Sequence, residues 1–491
     1  MYDIKALYEA QSTADAVRLL ETHPAARIIA GGSDVLVQIR EGRHAGAELV
    51  SIYGLDELRG VRMERDGTLR IGPLTSFSHI TKDPLIQRYI GVLGEAADMV
   101  GGPQIRNIGT IGGNTCNGIT SADSASTLMA WDAVMELTGP EGTRQVPIKD
   151  FYIRAGKVDL RPAEIQTGIL IPKASYKGYS GYYIKYAMRN AMDIATLGCS
   201  VNIKVSDDKK TFTDIRIAYG VAGPVPMRAE HAEAAGRGLP VTPESIEMIS
   251  DAVLEDVTPR DSWRASRAFR EHIARVLCKR ALTEAVNRAQ TAEELQPLEE
   301  TAGRAAEGKN EAAWERSLTP GITIQHGENQ YKLVRCRING VERETVVDVR
   351  ASLTDMLRND YSLTSVKKGC EAGECGACSV MIDGECYNSC IYLAVWADGK
   401  EIRTVEGLMG PDGQLSDIQQ AFIDEAAVQC GFCTPGIMMS AVEILESGKE
   451  YTRQELRKLL SGHLCRCTGY ENILNAVEKT MKRRLEEAKR G

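Results

Sequence analysis

The stretch GCEAGECGACSV, residues 369–380, decides how the second half of this chain folds. Its cysteines follow the spacing Cys370-x4-Cys375-x2-Cys378, and Cys390 comes a little further along the chain. This spacing is typical of a plant-type [2Fe–2S] site, in which a tight loop supplies three thiolates and a later residue supplies the fourth. Glycines alternate with the cysteines, as a loop requires when its backbone N–H groups must point at sulfur.

A second group of cysteines occurs in QCGFCTPG, residues 429–436, and LCRCTGY, residues 464–470. Its members are Cys430, Cys433, Cys465 and Cys467. Structural zinc is an alternative for either group. Zinc sites usually show two Cys-x2-Cys pairs, however, whereas the first group has a wider gap and the second has a Cys-x-Cys pair. Disulfides are disfavoured because nothing in the sequence indicates an oxidising compartment.

Turn and strand patterns surround the first group. Asn339-Gly340 and Asp383-Gly384 each join two β-rich runs, which predicts two hairpins with two-residue turns. A short helix is predicted from Ser352 to Asp360, so the whole region reads as a small β-grasp, ferredoxin-like unit. Cys386 falls on one of the predicted strands, and we expect it to be a buried apolar residue and not a ligand.

Helix-capping patterns surround the second group. They begin at Ser416, Thr434-Pro435, Thr452 and Thr468. Both cysteine pairs therefore fall just before predicted helix N-termini, where the positive end of the helix dipole favours a thiolate. We expect a compact four-helix bundle around the second site.

Two glycine-rich stretches lie nearer the N-terminus. In RIIAGGSDVL, residues 27–36, a short apolar strand leads into Gly31-Gly32, whose backbone can approach an anion such as a diphosphate. Alone, this pattern is a weak signal and is more often an ordinary turn, because it matches neither a dinucleotide fingerprint nor a Walker A loop. QIRNIGTIGGNTCNGITSAD, residues 104–123, repeats the design and ends in Asp123, which can accept ribose hydroxyls. Two such loops predict a ligand with a long phosphate–sugar body.

Length and composition limit the function classes. A chain of 491 residues with 43% hydrophobic content predicts several globular domains. A net charge of -8 without a basic stripe argues against a nucleic-acid partner. No secretion signal and no membrane-spanning run is visible, so we expect no membrane partner and a cytoplasmic location. Residues 288–328 are poor in apolar side chains and are predicted to form a partly helical tether.

These motifs resemble the flavin and iron–sulfur portions of the xanthine dehydrogenase, or molybdenum hydroxylase, family. The resemblance implies an α+β multidomain chain with a vanillyl-alcohol-oxidase type FAD domain, its α/β C-terminal subdomain, a β-grasp plant-type ferredoxin domain and a four-helix [2Fe–2S] bundle. The expected bounds are residues 1–175, 176–287, 329–408 and 409–485, with the tether at 288–328. Two departures stand out: Gly118–Ser121 replaces a run of small residues and proline, and His463 stands where the family more often has Asn.

The resemblance also implies the cofactor-binding residues. The metal ligands would be Cys370, Cys375, Cys378 and Cys390 for one cluster, and Cys430, Cys433, Cys465 and Cys467 for the other. The FAD diphosphate would lie on Ile28, Ile29, Ala30, Gly31, Gly32, Ser33, Asp34 and Val35. The phosphate and ribityl part would lie on Thr110, Gly113, Asn114 and Asn117. Asp123 would hold the adenosine ribose, Lys185 would lie near the flavin end unless it is an ordinary exposed strand lysine, and Gln429 would reach towards a pterin on a partner chain.

The implied function is electron transfer. Electrons would leave a substrate at a molybdopterin site on a large partner subunit, pass through the second-group cluster and then the first-group cluster to FAD, and continue to NAD⁺ or another acceptor. A purine such as xanthine or hypoxanthine is the expected substrate, with an aldehyde, an N-heterocycle or carbon monoxide as alternatives. The chain is expected in a hetero-oligomer, for which a dimer of heterodimers is one arrangement.

Two other classes remain open on sequence alone. A self-contained flavin and iron–sulfur diaphorase would reduce dyes with NADH and need no molybdenum partner. A scaffold protein with structural zinc would be colourless. The second, helix-bound site and Gln429 favour the molybdenum partner, because a simple diaphorase has no need of them.

Overall fold

A computed structural model of the chain describes residues 1–291, 323–326 and 329–490. These residues form a mixed helix–sheet protein with several packed units. Among the described helices, none combines the length and the apolar character needed to cross a bilayer.

The first unit contains a parallel sheet and a larger antiparallel sheet. The parallel sheet, in the order β1-β3-β2, consists of β1 (Ile4–Glu9), β2 (Arg27–Ile29) and β3 (Ala47–Ser51). The antiparallel sheet, in the order β4-β5-β10-β6-β7, consists of β4 (Val61–Met63), β5 (Leu69–Ile71), β6 (Val134–Gly139), β7 (Gly142–Pro147) and β10 (Ile165–Ile171). A separate pair consists of β8 (Tyr152–Arg154) and β9 (Lys157–Val158). Every residue of β10 is buried, which explains its continuous apolar character at the centre of the sheet.

Short helices connect these strands. They are α1 (Thr13–Thr22), α2 (Val35–Arg40), α3 (Phe77–Lys82), α4 (Pro84–Ala97), α5 (Pro103–Ile108), α6 (Ile111–Cys116), α7 (Asp123–Ala130), α8 (Ile148–Phe151) and α9 (Lys173–Tyr176). Proline occupies the first position of α4 and α5, where its missing N–H costs nothing. Helix α2 starts directly after the first glycine-rich loop, and α5 and α6 flank Gly109 in the second.

The second unit is a four-stranded antiparallel sheet covered by helices. Its elements are β11 (Ser180–Tyr186), β12 (Leu197–Val205), β13 (Phe212–Gly220), β14 (Met227–Arg228), α10 (Glu230–Gly236), α11 (Pro243–Ala252) and α12 (Arg267–Thr291). Helix α12 extends into the first residues of the predicted tether, 288–291. Near the C-terminal end of the tether, residues 323–326 form a strand. The rest of the tether, residues 292–322 and 327–328, lies outside the described residues.

The third unit is a six-stranded mixed sheet with one helix. Its elements are β15 (Thr323–His326), β16 (Asn329–Ile338), β17 (Val341–Asp348), α13 (Leu353–Asn359), β18 (Ser379–Ile382), β19 (Glu385–Asn388) and β20 (Glu401–Arg403). Both predicted hairpins are confirmed. Asn339 and Gly340 have φ of 50° and 78°, and Asp383 and Gly384 have φ of 50° and 89°, as a two-residue turn of this kind requires.

The fourth unit consists of four helices. They are α14 (Asp417–Asp424), α15 (Thr434–Glu446), α16 (Arg453–Leu459) and α17 (Glu471–Arg490). Ser416 and Thr452 form capping boxes, as the sequence predicts. The prediction of a cap at Thr468 is wrong, because α17 begins at Glu471, after Tyr470 has turned the chain with a φ of 69°.

The flavin-side and iron–sulfur-side units share one hydrophobic core. Leu7 and Leu49 of the N-terminal parallel sheet belong to the same buried cluster as Val380 of the mixed sheet. Tyr53 stacks on Trp396 with ring centroids 4.4 Å apart, and Trp396 Nε1 donates a hydrogen bond to Ser51 Oγ at 3.2 Å. Packed side chains, and not only the tether, therefore hold the two halves together.

Replacing Trp396 by Ala should lower the free energy of unfolding by about 3–5 kcal/mol, because a buried aromatic ring and its contacts are lost. Urea denaturation followed by circular dichroism measures this change. Trp263→Ala is the matched control, since Trp263 is 84% exposed and Trp396 is 6% exposed. Equal effects of the two substitutions would contradict the shared core.

Candidate cofactor-binding sites

The first cysteine group forms a loop whose backbone turns towards sulfur. Cys370 Sγ accepts hydrogen bonds from the N–H groups of Ala372 at 3.4 Å, Glu374 at 3.3 Å and Cys375 at 3.3 Å. The loop achieves this with a left-handed backbone at Glu371, Gly373 and Gly376. Successive N–H groups that point inward create a site for negative charge, which suits a thiolate.

The four thiols of the first group lie together. The Cys370 side chain interacts with those of Cys375 and Cys390, and Cys390 interacts with Cys378. Hydrogen bonds from the Cys375 and Cys390 side chains, reinforced by the backbone N–H groups, hold the pKa of the Cys370 thiol well below its usual range. Contact with Cys390 also lowers the pKa of Cys378. The interaction with Cys370 raises the pKa of Cys375 and of Cys390. Two of the four thiols therefore favour the thiolate form that an iron cluster requires.

The second group forms two thiol contacts. Cys433 lies at the start of α15, whereas Cys465 and Cys467 lie in the segment before α17, which begins at Glu471. Cys433 is the N-cap residue of α15 and interacts with Cys465, while Cys467 interacts with Cys430. Burial raises the pKa of Cys433 to about 12. Burial acts in the same direction on Cys465, but hydrogen bonding to Thr468, whose Oγ1 lies 3.1 Å from Cys465 Sγ, brings the pKa of Cys465 below its usual value.

The thiol geometry bears on the zinc alternative. Within residues 1–291, 323–326 and 329–490, no three His, Cys, Asp or Glu side chains converge as ligands of a single ion would. A zinc ion needs four donors around one point, whereas a [2Fe–2S] cluster takes two donors on each of two irons. The side-chain contacts of Cys433 with Cys465 and of Cys467 with Cys430 suit the two donors per iron of such a cluster.

Cys386 and Gln429 have the environments that the sequence suggests. Cys386 is fully buried on β19 and is not among the thiol contacts described above. Gln429 is exposed next to Cys430. Phe432 is 47% exposed and Leu464 is 62% exposed, so apolar side chains accompany the second group at the surface.

The first glycine-rich loop is pressed against α5. A Cβ on Gly31 would overlap the Ile108 carbonyl oxygen. Gly32 has a φ of 73°, and a Cβ there would lie 2.9 Å from Leu36 Cδ1. Only glycine fits both positions, so the loop backbone can pass this close to its neighbours because no side chain is present.

The second glycine-rich loop lies beside the first. Thr110 caps α6 and its Oγ1 accepts a hydrogen bond from the Gly113 N–H at 3.1 Å. Asn114 Oδ1 accepts from Ser124 Oγ at 2.6 Å. The Asn117 side chain hydrogen-bonds with Asp34 of the first loop. The two glycine-rich loops are therefore in direct contact.

Asp123 and Lys185 correct one detail of the FAD assignment. Lys185 Nζ lies 2.8 Å from Asp123 Oδ2, and Tyr183 donates to Asp123 Oδ1 at 2.7 Å. The carboxylate and the ammonium are both buried. Lys185 is therefore not an exposed strand lysine, and two paired side chains cannot serve opposite ends of an extended FAD. Burial raises the pKa of Asp123, and Lys185 opposes this shift.

The sequence alone does not identify the contacts between the loops. The Leu464 N–H donates to the Cys375 carbonyl oxygen at 3.0 Å, so the two cysteine loops touch through their backbones. Gln104 of α5 contacts His463, a partner 359 residues away in sequence. The proline that starts α5 marks a helix, but no local signal names partners at such a distance.

Four family models match the chain. They are the FAD binding domain in molybdopterin dehydrogenase over residues 2–174, the CO dehydrogenase flavoprotein C-terminal domain over 182–285, the 2Fe-2S iron-sulfur cluster binding domain over 336–404 and the [2Fe-2S] binding domain over 404–478. The chain therefore carries one FAD-binding domain and two [2Fe–2S]-binding domains.

Relatives match the two halves separately. The xanthine dehydrogenase FAD-binding subunit of Escherichia coli O157:H7 is 42% identical over 58% of this chain and 97% of its own length. The iron-sulfur-binding subunit of xanthine dehydrogenase from the same organism is 49% identical over 30% of this chain and 94% of its own length. The nicotine 6-hydroxylase small subunit of Paenarthrobacter nicotinovorans is 52% identical over 28% of this chain and 84% of its own length.

A solved structure shares the fold of the flavin half. A chain of carbon monoxide dehydrogenase from Hydrogenophaga pseudoflava is 31% identical, with a TM-score of 0.56 over 59% of this chain and 99% of that chain. The relatives are separate subunits, whereas this chain joins both halves.

Replacing Cys433 by Ser should remove one of two distinct [2Fe–2S] signals in the electron paramagnetic resonance (EPR) spectrum of the reduced protein, because a thiolate ligand of the second site is lost. Cys386→Ser is the control and should keep both signals, since Cys386 is a buried strand residue. Retention of both signals in the Cys433 variant would remove Cys433 from the ligand set.

Replacing Gly32 by Val should abolish FAD binding and leave the iron content unchanged, because the side chain would collide with Leu36 and disturb the loop. Flavin fluorescence after denaturation and an iron assay measure both quantities. Gly46→Val is the control: Gly46 has a similar φ of 70° but no atom within 4 Å of its Cβ position. Unchanged flavin in the Gly32 variant would refute the diphosphate assignment.

Proposed function

Because this chain belongs to the molybdenum hydroxylase family, we propose that it is the electron-transfer subunit of an oxidoreductase whose molybdopterin site lies on a partner chain. The proposal rests mainly on two contacts that link the second cysteine loop to the first cysteine loop, and the first cysteine loop to the end of α2. The Leu464 N–H reaches the Cys375 carbonyl oxygen at 3.0 Å, and Arg40 of α2 donates to the Glu371 carbonyl oxygen. Helix α2 follows directly on Gly31-Gly32. Bound there, two [2Fe–2S] clusters and FAD would supply one-electron transfer and delivery to NAD⁺ or another acceptor.

The residues of this chain would hold and shield those cofactors. We assign the clusters to Cys370, Cys375, Cys378 and Cys390, and to Cys430, Cys433, Cys465 and Cys467. We assign FAD to residues 28–35 and to Thr110, Gly113, Asn114, Asn117, Asp123 and Lys185. Buried Asp123 and Lys185 would act as one charged pair at a single point of the dinucleotide. Backbone N–H groups of the first cysteine loop would stabilise thiolate charge and so influence the potential of that cluster.

The partner would dock on the exposed side of the second cysteine group. Gln429, Cys430 and Cys467 are exposed there, together with Phe432 and Leu464. Exposed apolar side chains next to a ligand set suit a surface that another protein covers. Gln429 would extend towards the partner's pterin. The resulting hetero-oligomer could be a dimer of heterodimers.

The fold type of each unit is inferred from the arrangement of its strands and helices. The mixed sheet, in which β16 and β20 are parallel and the flanking pairs are antiparallel, supports a β-grasp domain over residues 329–408. The paired sheets of the first unit support a vanillyl-alcohol-oxidase type FAD domain over residues 1–175. The α/β subdomain and the helical bundle would then occupy residues 176–287 and 409–485.

A purine is the proposed substrate of the complex. Both halves resemble xanthine dehydrogenase subunits of one organism, which supports xanthine or hypoxanthine. The similarity to a nicotine 6-hydroxylase subunit and to a carbon monoxide dehydrogenase chain keeps N-heterocycles and carbon monoxide as alternatives. An aldehyde is a further alternative.

The natively purified complex should bleach anaerobically in its flavin and iron–sulfur absorption bands when xanthine or hypoxanthine is the only reductant. Bleaching of these bands would mean that electrons from the purine reach the cofactors of this chain, as the proposed function requires. The control is a sample that contains molybdenum and bleaches with dithionite. If such a sample does not bleach with purines but bleaches with an aldehyde or another heterocycle, the purine assignment is wrong and the electron-transfer role stands.

A further inference from the structure

A buried polar cluster joins three separate parts of the chain beside the cysteine loops. His463, which is 4% exposed, precedes Cys465 by two residues. Its Nε2 lies 2.7 Å from Gln104 Nε2 and 2.7 Å from Ser440 Oγ. Gln104 belongs to α5 on the flavin side, and Ser440 belongs to α15, the helix that follows Cys433. Two side chains, one from α5 and one from α15, thus hold the same edge of the His463 ring, at Nε2.

The other edge of the His463 ring faces the first cysteine loop. A Cβ on Gly376, which lies between Cys375 and Cys378, would overlap His463 Nδ1. The next residue after His463 is Leu464, whose N–H donates to the Cys375 carbonyl oxygen at 3.0 Å. The His463 ring and the neighbouring Leu464 N–H therefore both contact the first cysteine loop, at Gly376 and Cys375.

Helix α5, on the flavin side, packs against the same two cysteine loops. A Cβ on Gly462 would overlap Gln104 Oε1. A Cβ on Gly102 would lie 2.6 Å from Gly462 Cα, and one on Gly373 would lie 3.0 Å from Ile105 Cδ1. Gln104 Nε2 also donates to Ser440 Oγ at 3.0 Å. The side-chain amide of Gln104 therefore packs directly against the backbone of Gly462, the residue before His463.

We propose that His463, oriented by Gln104 and Ser440, is a positioning residue that fixes the separation and the electronic contact of the two cluster sites through the Leu464–Cys375 hydrogen bond. The inference rests on the proposed function, because it takes both cysteine groups as cluster ligands. Buried hydrogen bonds of this kind restrict the rotation of side chains, and contacts behind a ligand set orient the ligands and tune metal centres. The role concerns transfer between the clusters and leaves ligation to the cysteines.

The test uses the full chain with both clusters and FAD, without the partner. His463→Ala removes the ring, and Gln104→Met removes the donor while keeping the length of the side chain. His463→Asn restores a donor and an acceptor. Asn202→Ala is the matched control: Asn202 is also fully buried, donates to the Ala130 carbonyl oxygen at 2.9 Å, and has an oxygen that a Cβ on Gly181 would overlap.

Four measurements are made on each variant. Iron and FAD contents report whether the sites are filled. EPR of the fully reduced protein reports the magnetic interaction of the clusters. Photoreduction with about one electron per chain, followed optically, gives the rate at which the electron redistributes between clusters, and redox titration gives both potentials.

We expect His463→Ala and Gln104→Met to keep iron and FAD, to lose the magnetic splitting between the clusters, and to slow redistribution several-fold. His463→Asn should recover most of the wild-type rate, and Asn202→Ala should match the wild type throughout. Unchanged splitting and rate in the first two variants would overturn the proposal. Loss of a cluster in both would overturn it as well, since the network would then support ligation itself. A wild-type chain without two clusters would instead refute the proposed function.

Discussion

The close approach of α5 (Pro103–Ile108) to three loops is the constraint on which the proposed sites depend. Gly31 packs against the carbonyl group of Ile108 at the end of this helix, Gly373 packs against Ile105, and Gly462 packs against the side-chain amide of Gln104. In each case a Cβ would collide with or crowd the helix, so backbone and helix can be close neighbours only because glycine stands there. One turn and a half of helix therefore sets the relative positions of the first glycine-rich loop and both cysteine loops.

When several thiols are packed together, ionisation of one makes ionisation of its neighbours less favourable, and the fold stabilises the thiolate form of only some of them. Backbone N–H groups stabilise the charge on Cys370, whereas burial and the neighbouring side chains raise the pKa of Cys390 and of Cys433. Each group thus combines thiols whose pKa is raised with at least one thiol whose pKa is lowered. Binding of iron removes these protons, so cluster insertion and local stability are linked.

Local patterns were sufficient to predict the parts of this structure that local physics determines. The Asn339-Gly340 turn, the capping box at Ser416 and the burial of Cys386 follow from residues adjacent in sequence, and all are confirmed. The pairing of Asp123 with Lys185 and that of Gln104 with His463 could not be predicted in this way. Each joins elements far apart in the chain, and a single polar residue carries no signal of its partner. The family resemblance suggested roles for Asp123 and Lys185, but it assigned them to opposite ends of FAD, whereas the two side chains are paired in the fold.

Cofactor spacing in this chain is a property of packed side chains more than of the peptide that links the halves. Leu49 and Val380 lie in one core, and Trp396 of the iron–sulfur side stacks on Tyr53 of the flavin side. A tether raises the effective concentration of one half near the other but does not by itself fix an orientation. The orientation comes from the shared core and from α5, both of which are contacts that separate subunits could also make. Relatives that match the two halves as individual subunits are therefore compatible with the same interface, and joining the halves would strengthen an interface whose geometry is already determined.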